Sequence, residues 1–237
     1  MTQRRNRLGL AICGSVTLAL LALALPLRAE PLPNLPENVE FSPDASPAFV
    51  ANIGQFDRSI QFYTQVSGGN MFFHNSTIDI VLPVVSKSPE TPANSPFPPS
   101  KDMPPAPVVS IKYMDATENT LVTGIMPRAG VYNYFLGENP ANWVVDVPSF
   151  NKVKYTELYP GITMEYAGSE HNLKSTYTVA PNADPKIIRW MYDGATSIQI
   201  DDASKELVIN LPELKSEDYI QPNARLIESA PVAWQED

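Results

Sequence analysis

Two groups of residues in this 237-residue sequence combine amides with aromatics at spacings that could hold a ligand. Asn52, Gly54 and Gln55 set two side-chain amides beside a flexible backbone. The structural alternative is that Gly54 turns the chain into a strand near Ile60 while the amides satisfy backbone groups, and that is the first expectation. Tyr132, Asn133, Tyr134 and Trp143 offer sharper chemistry. An exposed Trp with neighbouring amides can stack on a sugar ring and hydrogen-bond it, because it presents an apolar face with polar handles. Aromatics at period two are more often sandwich core. Tyr159-Pro160-Gly161 has the residues of a turn rather than of a site. Asn75-Ser76-Thr77 fits the glycosylation acceptor pattern, a triplet that also arises by chance.

Catalytic and metal chemistry find less to work with. His74 and His171 are the only histidines, nearly a hundred residues apart, which argues against a transition-metal centre. Oxygen ligands for calcium are abundant (Glu138, Asp193, Asp201, Asp202), yet no D-x-[DN]-x-[DN]-G loop is present and adjacent acids usually mark a solvated turn. Calcium stays open without being indicated, and no cofactor is expected. Twenty-six carboxylates allow so many glycosidase-like pairs that none can be singled out. G-x-S-x-G, P-loop and G-x-G-x-x-G motifs are all missing, so no nucleophile–base arrangement is specified.

The elements that must position these residues read as strands. Ile60, Phe62, Thr64 and Val66 alternate with Gln61, Tyr63 and Gln65. The same period appears over Ile78–Leu82, in Val109, Ile111 and Tyr113, and in Ile162, Met164 and Tyr166. Leu173, Ser175, Tyr177 and Val179 continue it, and Leu207, Ile209 and Leu211 close it. Alternation of this kind puts apolar side chains on one face of a half-buried strand. Gly68-Gly69-Asn70 and Pro160-Gly161 supply hairpin and type II turn residues, and Asp193-Gly194 and Asp201-Asp202 mark reversals. The expectation is an all-β, antiparallel, sandwich-like domain without internal repeats.

What precedes that domain looks built for export. Residues 1–29 hold Arg4, Arg5, Arg7 and Arg28 and no acid, with an apolar run over Leu8–Leu27 broken by Pro26 and a Leu27-Arg28-Ala29 cleavage pattern. This is a signal peptide with Ala29 at the cleaved bond, an uncleaved anchor being the alternative. Residues 30–48 form a proline-rich leader, and 49–237 the β-rich domain. Pro83–Pro107 holds nine of the 24 prolines in 25 residues, a density that forbids helix and ladder alike, so it reads as a surface loop. Cys13, the one cysteine, falls in the signal, leaving an exported chain without disulfides whose stability comes from an ordinary core. The chain carries −9, and four arginines without acids in 1–29 leave −13 for the rest. So acidic a surface repels phosphate backbones and anionic lipid heads. Nucleic acid is not expected as a partner, nor membrane beyond the signal peptide.

Several stretches then carry a family likeness. Phe49-Val50-Ala51-Asn52-Ile53-Gly54-Gln55 is followed by Ile60-Gln61-Phe62-Tyr63, and Tyr132-Asn133-Tyr134-Phe135-Leu136-Gly137-Glu138-Asn139-Pro140-Ala141-Asn142-Trp143 by Val147-Pro148-Ser149-Phe150. Val153-Lys154-Tyr155, Leu158-Tyr159-Pro160-Gly161-Ile162, Val179-Ala180-Pro181-Asn182-Ala183-Asp184-Pro185 and Ala230-Pro231-Val232-Ala233-Trp234-Gln235 complete the order. The series resembles the N-terminal domain, of unknown function, of bacterial proteins that carry SBBP (seven-bladed β-propeller-type) repeats. Three departures stand out: the long connection Pro83–Pro107, Asn182 where the family commonly has Gly, and a chain that stops at Asp237 where the family continues into strands and repeats. The resemblance implies either a fragment of a longer reading frame or a stand-alone version. It implies further a secreted or cell-surface, non-enzymatic module of architecture or adhesion whose partner is an unknown protein or glycan at the cell exterior. An extracellular carbohydrate-active enzyme, or a domain ancillary to one, is the alternative, and a folding helper for downstream repeats a third.

Overall fold

The computed structural model describes residues 7–11, 46–66, 69–86, 105–118, 120–169, 172–214, 216, 219–221 and 225–236. Most of the expected signal peptide, including Ala29, lies outside the described residues, as do leader residues 30–45, residues 87–104 of the proline-rich loop, and His171.

The chain is almost wholly β, as the period-two alternation requires. Its strands are β1 Arg7–Ala11, β2 Phe49–Ala51, β3 Phe62–Val66, β4 Gly69–Phe73, β5 Thr77–Val81, β6 Val85–Ser86, β7 Val108–Tyr113, β8 Leu121–Tyr134 and β9 Val144–Tyr159. They continue as β10 Ile162–Ser169, β11 Asn172–Val179, β12 Trp190–Asp193, β13 Ser197–Ile200, β14 Leu207–Asn210, β15 Tyr219–Ile220, β16 Arg225–Glu228 and β17 Val232–Glu236. Two single 3₁₀ turns interrupt them. Each starts at a proline (Pro140, Pro185) preceded by a cap, Asn139 or Asp184, whose side chain accepts from a backbone N–H.

One large antiparallel sheet runs in the order β12-β7-β5-β4-β3-β2-β9-β10-β11-β1-β17, with β8 on the remaining edge of β9. The arrangement at β9 decides the shape. Phe150 pairs with Phe49 of β2 on one side and Pro127 of β8 on the other. Further along, Tyr155 pairs with Met164 of β10 and again with β8, at Val122. One edge of β9 is therefore handed from β2 to β10 while β8 follows the other, so the sheet divides into two wings that curl face to face. Rings from opposite wings meet in the middle: Phe73 of β4 lies 5.5 Å from Tyr166 of β10, edge to face. This is the sandwich-like architecture expected from the alternation. A three-stranded sheet, β13-β14-β16, closes the core with Ile209 and Leu226, and β6 pairs with β15.

The strand faces follow the expected periods. Ile78, Ile80 and Leu82 are buried, as are Val109, Ile111 and Tyr113, and Leu173, Tyr177 and Val179. One face differs. Tyr63, placed by the alternation opposite Phe62, is also buried, because a second cluster of Val50, Tyr63, Tyr134 and Val147 covers the outer surface there.

The N-terminal approach is locked down. Arg128 Nε donates to Asn151 Oδ1 at 2.8 Å, and its Nη2 to the Ser46 carbonyl and hydroxyl at 2.9 and 2.8 Å. Pro47 lies over Gly168, where a Cβ would come within 2.5 Å of the proline ring.

Turn chemistry is where single residues matter most. Gly161 has φ +73° between Tyr159 and its partner Ile162, as the second central residue of a type II turn requires. Asn182 takes φ +68°, the left-handed conformation that Asn tolerates. Gly69 is more constrained: its φ is +143° and a Cβ would stand 2.3 Å from the Val81 carbonyl oxygen. Gly69→Ala is expected to cost about 1–3 kcal/mol, whereas Gly130→Ala, where nothing lies within 4 Å, stays near wild type. Urea denaturation midpoints check both.

Candidate functional site

The far end of the β8–β9 hairpin gathers most of the sequence-selected residues. Asp146 takes a left-handed φ of +57°, and the β8–β9 register shifts between Tyr132 and Tyr134. The Asp146 N–H leaves the ladder at this bulge and is captured by Asn133 Oδ1 at 2.9 Å. Asn133 is thereby a backbone partner that fixes the bulge. Tyr134 points inward, 6% exposed, while Trp143 stays 39% exposed; the two ends of one motif have opposite fates. Trp143 Nε1 donates to the Gly137 carbonyl at 3.1 Å, and Phe135, 64% exposed, meets the indole edge to face at 5.0 Å. Tyr132 is exposed beside them in sequence.

Asn52, Gly54 and Gln55 reach the same end from another side. Asn52 Nδ2 donates to the carbonyls of Asp57 and Ile60 at 2.7 and 2.8 Å, and Oδ1 accepts from the N–H groups of Gly54 and Phe56. Gln55 donates to the Ala51 carbonyl at 2.6 Å and accepts from Ile53 N–H, and it also bonds the Tyr134 hydroxyl. Both amides are committed to backbone and to Tyr134, holding a tight loop over residues 52–61. That loop sets Phe56 among Tyr63, Phe72 and Tyr134, with ring centroids 5.3, 5.4 and 5.8 Å away. Burial, reinforced by the neighbouring Tyr132, pushes the Tyr134 hydroxyl up to about 12, and Tyr63 moves the same way. Both stay protonated, and Tyr63 donates to Asn70 Oδ1 at 2.8 Å.

Tyr159, Pro160 and Gly161 are not part of this group, because they occupy the opposite end of the sixteen-residue β9. There the Tyr159 hydroxyl donates to the Arg189 carbonyl at 2.6 Å and accepts from Arg189 N–H. Arg189 forms an ion pair with Asp115 at the rim of an open cavity of about 440 Å³ that Met114, Ile188 and Trp190 also line. Both charges are exposed, and such pairs contribute little.

A second open cavity, about 530 Å³, is lined by Asp57, Arg58, Ser59, Gln61, His74, Asn75 and Ser76. His74 Nε2 faces Asp79 Oδ2 at 3.2 Å, and Ser110 Oγ donates to Asp79 Oδ1 at 2.6 Å. The residue types are those of a hydrolase triad, but the order differs: the serine hydroxyl bonds the carboxylate rather than the imidazole.

Periodicity gave no sign of one half-buried acid whose carboxyl is drawn inward. Glu228 of β16 accepts from the Tyr192 hydroxyl, which in turn accepts from Trp190 Nε1 at 3.0 Å. Phe56, Phe135, Asp79 and Glu228 were not selected from the sequence. Phe135 lies inside a selected motif, whereas Asp79 meets Ser110 through strand pairing, Glu228 meets Tyr192 of another sheet, and Phe56 reaches its partners through the fold of the 52–61 loop. Among the described residues no group of three or more His, Cys, Asp or Glu is gathered for a metal, and no helix is long and apolar enough to cross a membrane.

Comparison with known proteins now adds one finding. A family described as Domain of unknown function (DUF7948) matches residues 49–237. The chain belongs to that family. No curated protein and no solved structure matches it. The DUF7948 match covers both the hairpin end and the inward-drawn acid, and the latter carries a measurable signature. Burial pushes the Glu228 carboxyl up, its bond from Tyr192 only partly opposing. A raised folded value stabilises fully below the ordinary 4.5 and loses that contribution as pH rises through the folded value. Glu228→Gln should therefore leave the melting temperature unchanged near pH 4 and raise it at pH 8, as read by calorimetry.

Proposed function

We propose that this DUF7948 domain is a secreted, non-enzymatic module of extracellular or cell-surface architecture whose contacts are made at the β8–β9 hairpin end, with a glycan as the ligand. The observation that carries this reading is the Phe135–Trp143 pair. Its indole N–H is already bonded to Gly137, its edge is fixed by Phe135, and its remaining exposed surface is apolar and held rigid. A rigid aromatic face with little left to lose in rotamer entropy suits stacking on a sugar ring. The strongly acidic surface favours neutral or basic partners over phosphates. The five ordered motifs that resemble the leading domain of SBBP-repeat proteins support a place at the front of a larger exported polypeptide, and the basic, apolar N-terminal segment supports the route.

On glycan arrays followed by titration calorimetry, Trp143→Ala is expected to weaken glycan binding about tenfold, the worth of one stacking contact. Leu121→Ala, exposed at the other end of β8, should bind as wild type does. Unchanged binding in Trp143→Ala removes the glycan reading, and polysaccharide turnover abolished by a single Asp or Glu substitution replaces it with an enzyme. Export and architecture are checked together: N-terminal sequencing of the exported protein should start at Glu30, and the reading frame past Asp237 should continue into repeats.

A further inference from the structure

His74 follows β4, and its side chain is only one-fifth exposed. Nδ1 lies 3.1 Å from the Ser59 carbonyl oxygen, and Nε2 lies 3.2 Å from Asp79 Oδ2. Neither oxygen has a proton to give, so both contacts need a ring N–H. Neutral imidazole has one N–H and would turn a lone pair on one of the two acceptors. Imidazolium satisfies both. Asp79 is prepared for the role, since Ser110 Oγ occupies its other oxygen at 2.6 Å.

The charged and polar neighbours come from four elements. Asp57, Arg58 and Ser59 stand on the 52–61 loop, which lines the same cavity. Asp79 faces the ring from β5, and Ser110 and Lys112 approach Asp79 from β7. Lys112 is itself paired with Asp193 of β12. From β9 the Tyr155 hydroxyl donates to the His74 carbonyl at 2.9 Å, holding the backbone in place. Two acids thus act on the imidazole, Asp79 by a bond and Asp57 by its charge, and Lys112 is engaged with Asp193.

We propose that His74 is an imidazolium clasp that fastens the 52–61 loop to β5 and gives up one of its two bonds as pH rises above the neutral range. The electrostatics run the same way as the geometry. The bond to Asp79 holds His74 above its ordinary value against partial desolvation, and Asp79 is held below its own. The raised histidine stabilises fully below pH 6.5 and loses that contribution as pH climbs through its folded value. The lowered carboxyl contributes above 3.8 and loses its share as pH falls. The clasp is therefore tightest between these two values. The loop it fastens carries Phe56, which packs on Tyr134, so the device sits beside the hairpin end without depending on what binds there.

The test is a ring-nitrogen NMR titration of the full chain, with His171→Gln to assign the second histidine. At pH 6.5 both His74 nitrogens should be protonated, with the midpoint shifted upward from 6.5, an observation that needs no variant at the clasp. Asp79→Asn should bring the midpoint back to 6.5 or below. Wild type should lose melting temperature between pH 6 and pH 8.5, and His74→Gln should flatten that fall. A wild-type midpoint at or below 6.5, or one that Asp79→Asn leaves in place, overturns the proposal.

Discussion

Strand β9 has more neighbours than a flat sheet can give it, and the rest of the fold is arranged around that fact. A sixteen-residue strand cannot stay flat under the ordinary right-handed twist. Here the accumulated twist is relieved at bulges, with Asp146 and Glu157 both left-handed. Between these points one edge of β9 changes partner from β2 to β10. Because β2 leads into one wing and β10 into the other, the two wings must leave β9 in different directions, and their apolar faces have nowhere to go but onto each other. The small sheet β13-β14-β16 then closes an opening that the curl leaves.

Packing two curled wings without disulfides calls for large side chains, and this chain meets the need mainly with tyrosine. Tyr113, Tyr155, Tyr159, Tyr166, Tyr177 and Tyr192 are all buried. Each brings a ring's worth of apolar area together with a hydroxyl that must find a partner. The hydroxyls find them across the wings: Tyr113 bonds Tyr166 at 3.0 Å, Tyr155 reaches the His74 carbonyl, and Tyr159 reaches that of Arg189. The first ties β7 to β10, and the other two tie β9 to the segments just after β4 and just before β12, so register and core polarity support one another. Glu228 is the uncomfortable member of this network, since a carboxyl drawn in beside Tyr192 must either lose its proton at a cost or keep it.

What could be read in the sequence was whatever depended on neighbours along the chain. Alternation located the buried faces of β5, β7, β10 and β11, and Pro160-Gly161 announced its turn. What could not be read depended on which strand lies beside which. Tyr63 obeys period two and is buried all the same, because Phe56 of the preceding loop and Tyr134 and Val147 of the distant β8–β9 hairpin cover it. Tyr134 and Trp143 share one motif and look equally suited to a core or a ligand; the bulge at Asp146 turns the first inward and leaves the second outside. His74, Asp79 and Ser110 look unrelated in sequence until the pairing of Asp79 with Ser110 in register brings the three side chains together.

The same geometry explains why the chemistry left for the surface is so localised. Asn52, Gln55 and Asn133 carry the amides best suited to a ligand, and the fold spends all three on backbone groups that bulges and turns have released from the ladder. An irregular hairpin end must be stitched in this way, or its orphaned N–H and carbonyl groups would go unpaired. The aromatic pair beside them is fixed separately, Trp143 by its bond to the Gly137 carbonyl and by Phe135 packed edge to face on the indole. A rigid apolar face loses little freedom on binding. The structural reading thus accounts for the amides, which are committed to backbone, and it leaves Trp143 partly exposed at the hairpin end.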